Sequence, residues 1–303
     1  MIRASIDLGT NTCLLLIAET AAAGSAQEVK RVISDHSTIV RLGKGVDQNR
    51  ELASEAMERT LTCLKDYAAK AKAAGARPEE AICVATSQAR DAKNGKAFFD
   101  RVEKETGFRF RVISGDDEAK YTFLGALLPG MDPSRSAVID IGGGSTEIIS
   151  GSTGGSVDLG SVRFTERYLK SNPVTDDEFW ACQDEVDRML EGLKPARAKL
   201  PADVALVAVA GTATTLAAWY LELPKFDAAK IDQVILTRGD VHRMVEELKW
   251  RTVEERMKLT GIEEGRADVL LAGALILWRA MELLDFPECR ISTRGLRFGV
   301  LQG

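Results

Sequence analysis

The sequence predicts an α/β protein built from two similar domains that face each other across a cleft. Its 303 residues are enough for roughly two domains. Each half opens with the same pattern, an apolar run that ends in an aspartate, then a glycine turn, then a second apolar run. Asp7 stands at this turn in the first half and Asp140 in the second, and helical segments follow in both. The repetition predicts that the two aspartates lie on opposite walls of the cleft.

In the first half, short β-prone runs predict an antiparallel meander, which helices and two further strands follow. The predicted strands cover residues 2–6, 13–18, 28–33, 37–42, 81–85 and 108–113, with a hairpin loop at 21–27. The predicted helices cover residues 51–74, 96–106 and 118–128. The first of these helices has apolar residues at helical spacing and ends at Gly75 and Pro78.

The second half repeats the opening and then becomes mainly helical. The predicted strands cover residues 136–141, 146–150, 157–162, 204–209 and 290–293, with a flexible hairpin tip at 151–156. The predicted helices cover residues 176–193, a segment after 215, 240–250, 252–259, 263–284 and 296 onward. We expect domains at 1–122 and 123–303, with a C-terminal helix at about 290–303 that can pack back on the first domain.

Composition and charge are those of an ordinary globular protein. Hydrophobic residues make up 45% and charged residues 28% of the chain. The net charge of −5 argues against a general nucleic-acid-binding protein, because such a protein needs a basic face. An anionic substrate is still compatible with this charge, since a few arginines and lysines in a cleft act locally.

Cysteine usage and the apolar runs predict a cytoplasmic protein with no membrane partner. The five cysteines are dispersed without a Cys-x-x-Cys pair, which is typical of reduced thiols. With only His36 and His242, a histidine-rich zinc centre is not expected. Asp7 and Asn11 interrupt the N-terminal apolar run, so no signal peptide is predicted. The longest apolar run, 269–278, is half the length of about 20 residues that a membrane span needs.

The glycine turn after Asp140 is the strongest chemical signal. Glycines take backbone angles closed to other residues, and consecutive N–H groups in such a loop form a concave anion site. An acid at its edge can hold Mg²⁺, which prefers carboxylate, water and phosphate oxygens. The alternative is a plain β-turn with a turn-capping aspartate. The matching turn at Asp7 favours two phosphate loops about a shared metal.

Five segments together resemble a known family. They are 7–12, 85–94, 113–119, 140–147 and 210–215. In this order they are similar to motifs of the exopolyphosphatase / guanosine pentaphosphate phosphohydrolase (Ppx/GppA) family, within the actin–Hsp70–sugar kinase superfamily. The resemblance runs from Ile2 to Arg297. It implies two ribonuclease H-like (actin-like ATPase) domains that flank the cleft, in the short form without further helical domains.

The resemblance implies a hydrolase that removes terminal phosphate from linear polyphosphate, or the 5′ γ-phosphate from guanosine pentaphosphate, with Mg²⁺ or Mn²⁺. A homodimer is a further family expectation. Such phosphoryl transfer depends mostly on positioning and electrostatics. Two alternatives stay open. One is an ATP-binding relative, either a small-molecule kinase or an ATP-driven switch. The other is a regulator that binds polyphosphate or guanosine tetraphosphate without turnover.

The resemblance and the residue chemistry together assign candidate roles. The expected metal-associated residues are Asp7 and Asp140. The expected phosphate-binding residues are Gly9, Thr10, Asn11, Arg90, Gly143, Gly144, Ser145, Gly211 and Thr212. Arg90 can grip phosphate by two parallel hydrogen bonds, and its alternative role is an ion pair with Asp91 or a neighbouring acid.

Glu118 is the candidate general base and Glu147 its plausible partner. Glu118 matches the second acid of the family's Ile-Ser-Gly-x-Glu-Glu-Ala motif, in which this acid is catalytic. Without the resemblance, acids at a helix N-terminus would be explained by the helix dipole, and Glu147 by an exposed strand position. Arg163, Arg266 and Arg294 are further candidate cations. Phe298 stands where family members often carry an acid, which leaves the role of Arg297 open.

Overall fold

The computed structural model describes residues 1–21 and 29–302. It divides into two compact units, Met1–Gly125 with Leu296–Gly303 (unit 1) and Ala126–Gly295 (unit 2). The domain boundary predicted after residue 122 remains a prediction. Among the described helices, none combines the length and the apolar character that a bilayer crossing requires.

Unit 1 contains a five-stranded sheet in the order β3-β2-β1-β4-β5. The strands are β1 Ile2–Leu8, β2 Thr12–Thr20, β3 Val29–Ile39, β4 Ile82–Ala85 and β5 Phe110–Val112. The first three form an antiparallel meander, whereas β4 runs parallel to β1 and β5 parallel to β4. The parallel strands require crossover connections, which the helices of this unit supply.

The helices of unit 1 pack on both faces of its sheet. They are α1 Val46–Asn49, α2 Ser54–Ala73, α3 Ser87–Asp91, α4 Gly95–Thr106, α5 Gly115–Ala126 and α14 Leu296–Gln302. Alternate residues of β1 (Ala4, Ile6, Leu8) belong to the core that includes residues of α2 and α4. On the opposite face, Leu296, Phe298 and Val300 of α14 pack against strand residues such as Leu16 and Val84. Because successive side chains of a strand point to opposite faces of the sheet, Asp7 lies on the face that α14 covers.

Unit 2 contains a six-stranded sheet in the order β10-β11-β9-β6-β7-β8. The strands are β6 Ser136–Ile141, β7 Thr146–Ser150, β8 Thr153–Val157, β9 Ala205–Val209, β10 Ile235–Thr237 and β11 Glu288–Ile291. The first three again form an antiparallel meander, and β9 and β11 lie parallel to β6.

The helices of unit 2 build one large core. They are α6 Ser161–Tyr168, α7 Asp176–Leu190, α8 Lys194–Arg197, α9 Ala210–Tyr220, α10 Ala228–Ile231, α11 Arg238–Lys249, α12 Val253–Arg256 and α13 Leu270–Leu283. Helix α13 is buried along most of its length, as its apolar sequence predicts.

The predicted α/β class with two similar units is confirmed, since the first four strands of each unit follow the same order and directions. In both units, the second-to-last residue of the first strand of the meander is an aspartate, Asp7 in β1 and Asp140 in β6. The glycine turn then leads into the second strand.

Several element predictions are wrong. Of residues 157–162, only Val157 lies in a strand, and Ser161 and Val162 begin α6, in which Val162 is buried. The third strand is β8, formed from residues predicted as a flexible tip. Gly154 is needed there because a Cβ would lie 2.9 Å from the Ile148 carbonyl oxygen.

Other predicted elements differ in extent. The strands predicted at 28–33 and 37–42 are one strand, β3. The helix predicted at 263–284 is a 3₁₀ turn at Glu264–Arg266 followed by α13. The loop predicted at 21–27 lies, apart from Ala21, outside the described residues, as does Glu28.

Candidate active site

The first glycine turn joins β1 to β2. Its ends are tied by a hydrogen bond of 2.9 Å from Gly9 N to Thr12 O. The carbonyl oxygens inside the turn are engaged by a second segment. Thr10 O accepts from Gly43 N at 2.8 Å, and Asn11 O accepts from the N–H groups of residues 40 and 41 at 2.9 Å each.

The second turn, between β6 and β7, is built in the same way. Gly142 N donates to Ser145 O at 3.0 Å. The first N–H groups of α6 hold the carbonyls of this turn: Ser161 N donates to Gly142 O, and Val162 N to Gly143 O, each at 2.9 Å. Gly160 fits only because it lacks a side chain, since a Cβ there would overlap the Gly143 carbonyl. The turn is therefore fixed against the start of α6.

In both turns, two carbonyl oxygens accept hydrogen bonds from a neighbouring segment, whereas several N–H groups have no protein acceptor. Within residues 1–21 and 29–302, the N–H groups of Thr10, Asn11, Gly143, Gly144 and Ser145 donate to no protein acceptor. Successive amides in such turns form an anion-binding concavity. Of the predicted phosphate-binding residues, Thr10, Asn11, Gly143, Gly144 and Ser145 therefore present N–H donors, each set within its own unit. The N–H of Gly9 is instead bound to Thr12 O.

In unit 2, the sheet brings Asp140 and Glu147 together. They are cross-strand partners in the β6–β7 ladder, and Ser156 is the partner of Glu147 in the β7–β8 ladder. Residues paired in this way lie on the same face with Cβ atoms about 4.5–5.5 Å apart. The Ser156 hydroxyl donates to Glu147 Oε1 at 2.8 Å. Glu147 is only 1% exposed, so its alternative description as an exposed strand residue is wrong.

In unit 1, Arg90 and Glu118 are brought together. Arg90 Nη1 donates to Glu118 Oε2 at 3.0 Å and to the Ile113 carbonyl at 2.8 Å. Glu118 lies in the first turn of α5 and is 8% exposed. Asp91 instead faces Arg50, with 3.5 Å between its Oδ1 and Arg50 Nη1. Nε and Nη2 of Arg90 have no acceptor in the described chain, so they can still bind phosphate oxygens.

Gly211 and Thr212 do not lie on an open loop. Helix α9 begins at Ala210, at least six residues earlier than predicted, and Ala210 has the left-handed φ of 65°. Such a backbone in a non-glycine residue is strained and typical of functional segments. The Arg266 guanidinium lies against Gly211, and Thr212 packs against Gly273 of α13.

The other candidate arginines have protein partners. Arg163 Nε donates to Gly144 O at 2.9 Å and so braces the second turn. Arg266 Nε donates to Glu263 at 2.9 Å. Arg297 forms a bidentate pair with Asp35, at 2.8 and 2.7 Å. Its neighbour Phe298 is buried. The interaction with Asp35 explains how Arg297 is held without an acid at position 298.

Two further residues contact predicted site residues and were not predicted from the sequence: Gln88, beside the first turn in unit 1, and Ser156, beside Glu147 in unit 2. Gln88 donates from Nε2 to Leu8 O at 2.9 Å and accepts from the Thr10 hydroxyl at 3.1 Å. It lies two residues before Arg90, inside a segment already singled out by its motif. Ser156 could have been found only from the strand register.

Each turn has one aspartate beside it, a donor set that suits a metal whose remaining ligands come from water and substrate. Within the described residues, no group of three or more His, Cys, Asp or Glu side chains could form a metal cage. Mg²⁺ commonly binds one or two carboxylates together with water and substrate phosphates. Asp7 and Asp140, each beside an amide-presenting turn, fit that mode of binding.

Comparisons with known proteins agree with this chemistry. A family model described as the Ppx/GppA phosphatase family matches residues 17–303. Exopolyphosphatase 2 of Mycobacterium tuberculosis is 37% identical over 286 residues, which cover 90% of this chain and 88% of that protein. A bifunctional 3-dehydroquinate synthase/phosphatase of Fusobacterium nucleatum is 34% identical over 293 residues, or 94% of this chain. This chain spans only 43% of the length of that relative.

A crystal structure supports the same relationship. An exopolyphosphatase from Cytophaga hutchinsonii superimposes with a TM-score of 0.86 at 28% identity. The superposition covers 99% of this chain and 96% of that chain.

Proposed function

Because this chain belongs to the Ppx/GppA phosphatase family, we propose that it is an exopolyphosphatase that releases terminal orthophosphate from inorganic polyphosphate. Hydrolysis of the 5′ γ-phosphate of guanosine pentaphosphate is the second activity that we propose to test. The observation that supports a phosphoanhydride hydrolase is the repeated turn, in which carbonyls are bound from behind and amides are left to bind anions.

Each part of the reaction has a proposed residue. The amides of Thr10 and Asn11 and those of Gly143, Gly144 and Ser145 bind phosphate oxygens, while Gly9 closes the first turn through its hydrogen bond to Thr12 O. Gly211 and Thr212, at the start of α9, line the substrate site. Glu118 takes the proton from the attacking water, and Arg90 holds Glu118 while its remaining N–H groups bind phosphate. Glu147, oriented by Ser156, helps to position the water.

Enzymes of this family generally depend on a divalent metal ion. We propose Mg²⁺, with Mn²⁺ as the alternative, and Asp7 and Asp140 as residues that bind it directly or through water. When bound, such an ion neutralises charge on the phosphate oxygens and favours the transition state. The surrounding amides and Arg90 supply the same kind of stabilisation from the protein.

The test is an activity panel with polyphosphates of several lengths, guanosine pentaphosphate and ATP, each with Mg²⁺ or Mn²⁺ and with chelator. We expect metal-dependent orthophosphate release from polyphosphate without any nucleotide. ATP-dependent transfer to a sugar or acid, with no release from either proposed substrate, would instead identify a kinase. Binding of polyphosphate without release would identify a regulator.

A further inference from the structure

A buried glutamine links the first glycine turn to the helix that carries Arg90. Gln88 lies in α3 and is 2% exposed. Its amide nitrogen donates to the carbonyl of Leu8, the last residue of β1, at 2.9 Å. Its amide oxygen accepts the proton of the Thr10 hydroxyl at 3.1 Å. One side chain therefore contacts the residues on both sides of Gly9.

The surroundings leave these groups little freedom. Thr10 is also buried. Gly43 packs against both side chains: a Cβ on Gly43 would overlap the methyl group of Thr10 and lie 3.0 Å from Gln88 Cβ. Gly43 N donates to Thr10 O at 2.8 Å. Such buried hydrogen bonds hold one arrangement, because breaking them leaves buried polar groups unpaired.

The direction of the hydroxyl bond has a chemical consequence. Since Thr10 donates its only hydroxyl proton to Gln88, that proton is not offered to an anion. The Thr10 contribution to phosphate binding is then its backbone N–H, whose direction depends on the position that Gln88 gives to the turn.

We propose that Gln88 is a positioning residue that sets the first glycine turn in its phosphate-binding geometry through Thr10 and Leu8. The inference rests on the proposed function, since it concerns how the same substrate is bound. Gln88 itself does not touch substrate. It acts on the turn from behind, as the N–H groups of residues 40, 41 and 43 also do.

The test is a double-mutant cycle on the full chain with Gln88→Met and Thr10→Val. Both changes keep side-chain size and remove hydrogen bonding. We expect each single variant to raise KM for polyphosphate at least about tenfold, with a smaller change in kcat. Because the two residues act as one unit, the double variant should be no more than about threefold worse than either single variant.

Matched controls separate positioning from stability. Thr60→Val removes a buried hydroxyl that bonds only within α2, at 2.7 Å from Ala56 O, and should leave KM unchanged. Thr10→Ser keeps the hydroxyl that donates to Gln88 and should partly restore KM relative to Thr10→Val. Thermal unfolding of every variant checks the fold. If Gln88→Met does not fold, the KM values of Thr10→Val and Thr10→Ser, compared with Thr60→Val, decide the question.

Unchanged KM in Gln88→Met, or independent multiplicative effects of the two changes, would overturn the inference while leaving the proposed function standing. If the wild-type chain releases no phosphate, the proposed function fails instead. The role of Gln88 is then decided by calorimetric titration of the four proteins of the cycle with tripolyphosphate. Their Kd values should show the pattern that is expected for KM. A wild-type chain that does not bind tripolyphosphate would overturn both.

Discussion

Arg90 Nη1 lies 3.0 Å from Glu118 Oε2, so the candidate base is held by the residue that was also expected to bind phosphate. Their sequence positions are 28 residues apart. The contact forms because α3 and α5 each follow one of two neighbouring parallel strands, β4 and β5. The same edge of the sheet thus brings a cation and a carboxylate into one place.

Replacement of the base should abolish most of the turnover. We predict that Glu118→Gln lowers kcat for polyphosphate by about 10²–10⁴-fold, the usual contribution of general acid–base catalysis, with KM changed little. Asp116→Asn is the matched control, because Asp116 is an exposed acid in the first turn of the same helix. A loss of less than about tenfold in Glu118→Gln would exclude Glu118 as the base.

Arg90 should have two separable effects. Arg90→Met removes the partner of Glu118 and the free N–H groups, so we expect kcat to fall and KM to rise. In a Glu118→Gln background, the effect on KM should persist while the effect on kcat largely disappears, because the residue being positioned is already inactive. Steady-state kinetics of the four proteins measure this. An equal kcat loss in both backgrounds would show that Arg90 does not act through Glu118.

Substitution of Gly160, which packs against the second glycine turn, should impair activity. Gly160→Ala would push a Cβ into the Gly143 carbonyl and the Gly144 nitrogen, so the turn must move. We predict a loss of at least about tenfold in kcat/KM, because misplaced binding groups lose much of their effect. Gly239→Ala, whose nearest neighbour would be 3.8 Å away, is the control and should keep full activity. Full activity in Gly160→Ala would mean that this turn does not bind substrate.

Alkaline pH should destabilise the protein through two buried thiols of unit 2. Burial raises the pKa of Cys182 and Cys289 to about 12 each. The unfolded thiols ionise near 8.5, so the folded state keeps protons that the unfolded state loses. The stabilising contribution is therefore complete below about pH 8.5 and falls by about 1.4 kcal/mol per pH unit and thiol up to about pH 12.

Urea unfolding at several pH values between 7 and 10.5 measures this slope. The double variant Cys182→Ala/Cys289→Ala should be less stable at pH 7, because it leaves small cavities in the core. Its free energy of unfolding should nevertheless fall less steeply with pH than that of the wild type. Parallel curves for the two proteins would contradict the assignment.

Local sequence signals predicted the two turns and most of the elements around them. The pattern of Asp-x-Gly between two apolar runs needs only neighbouring residues, and β1, β2, β6 and β7 follow it. Prediction was less successful where glycine had a packing role. The glycines of β8 were taken to indicate a flexible hairpin tip, although Gly154 allows β8 to lie close to Ile148 of β7. At Gly160 the backbone contact with the turn is likewise invisible in the sequence.

Side-chain partners could not be read from spacing. The Arg90–Glu118 pair depends on which strands become neighbours, and the Asp140–Glu147–Ser156 row depends on strand register. Helix α9 was expected only after Thr215, since Gly211 and Thr212 resemble a loop of the family. The helix instead begins at Ala210, and Thr212 packs against Gly273 of α13, a tertiary contact that local sequence does not reveal.

The anchored carbonyls of the two turns also restrict which ions these turns can accept. A peptide flip would present a carbonyl oxygen to the ligand, which is how a loop becomes a cation site. In either turn, such a flip would break hydrogen bonds from the segment behind it, for example those from residues 40, 41 and 43. The hydrogen bonds to their carbonyls therefore make the turns selective for anions. A cation has to bind the neighbouring carboxylates or be bound to the phosphate chain already.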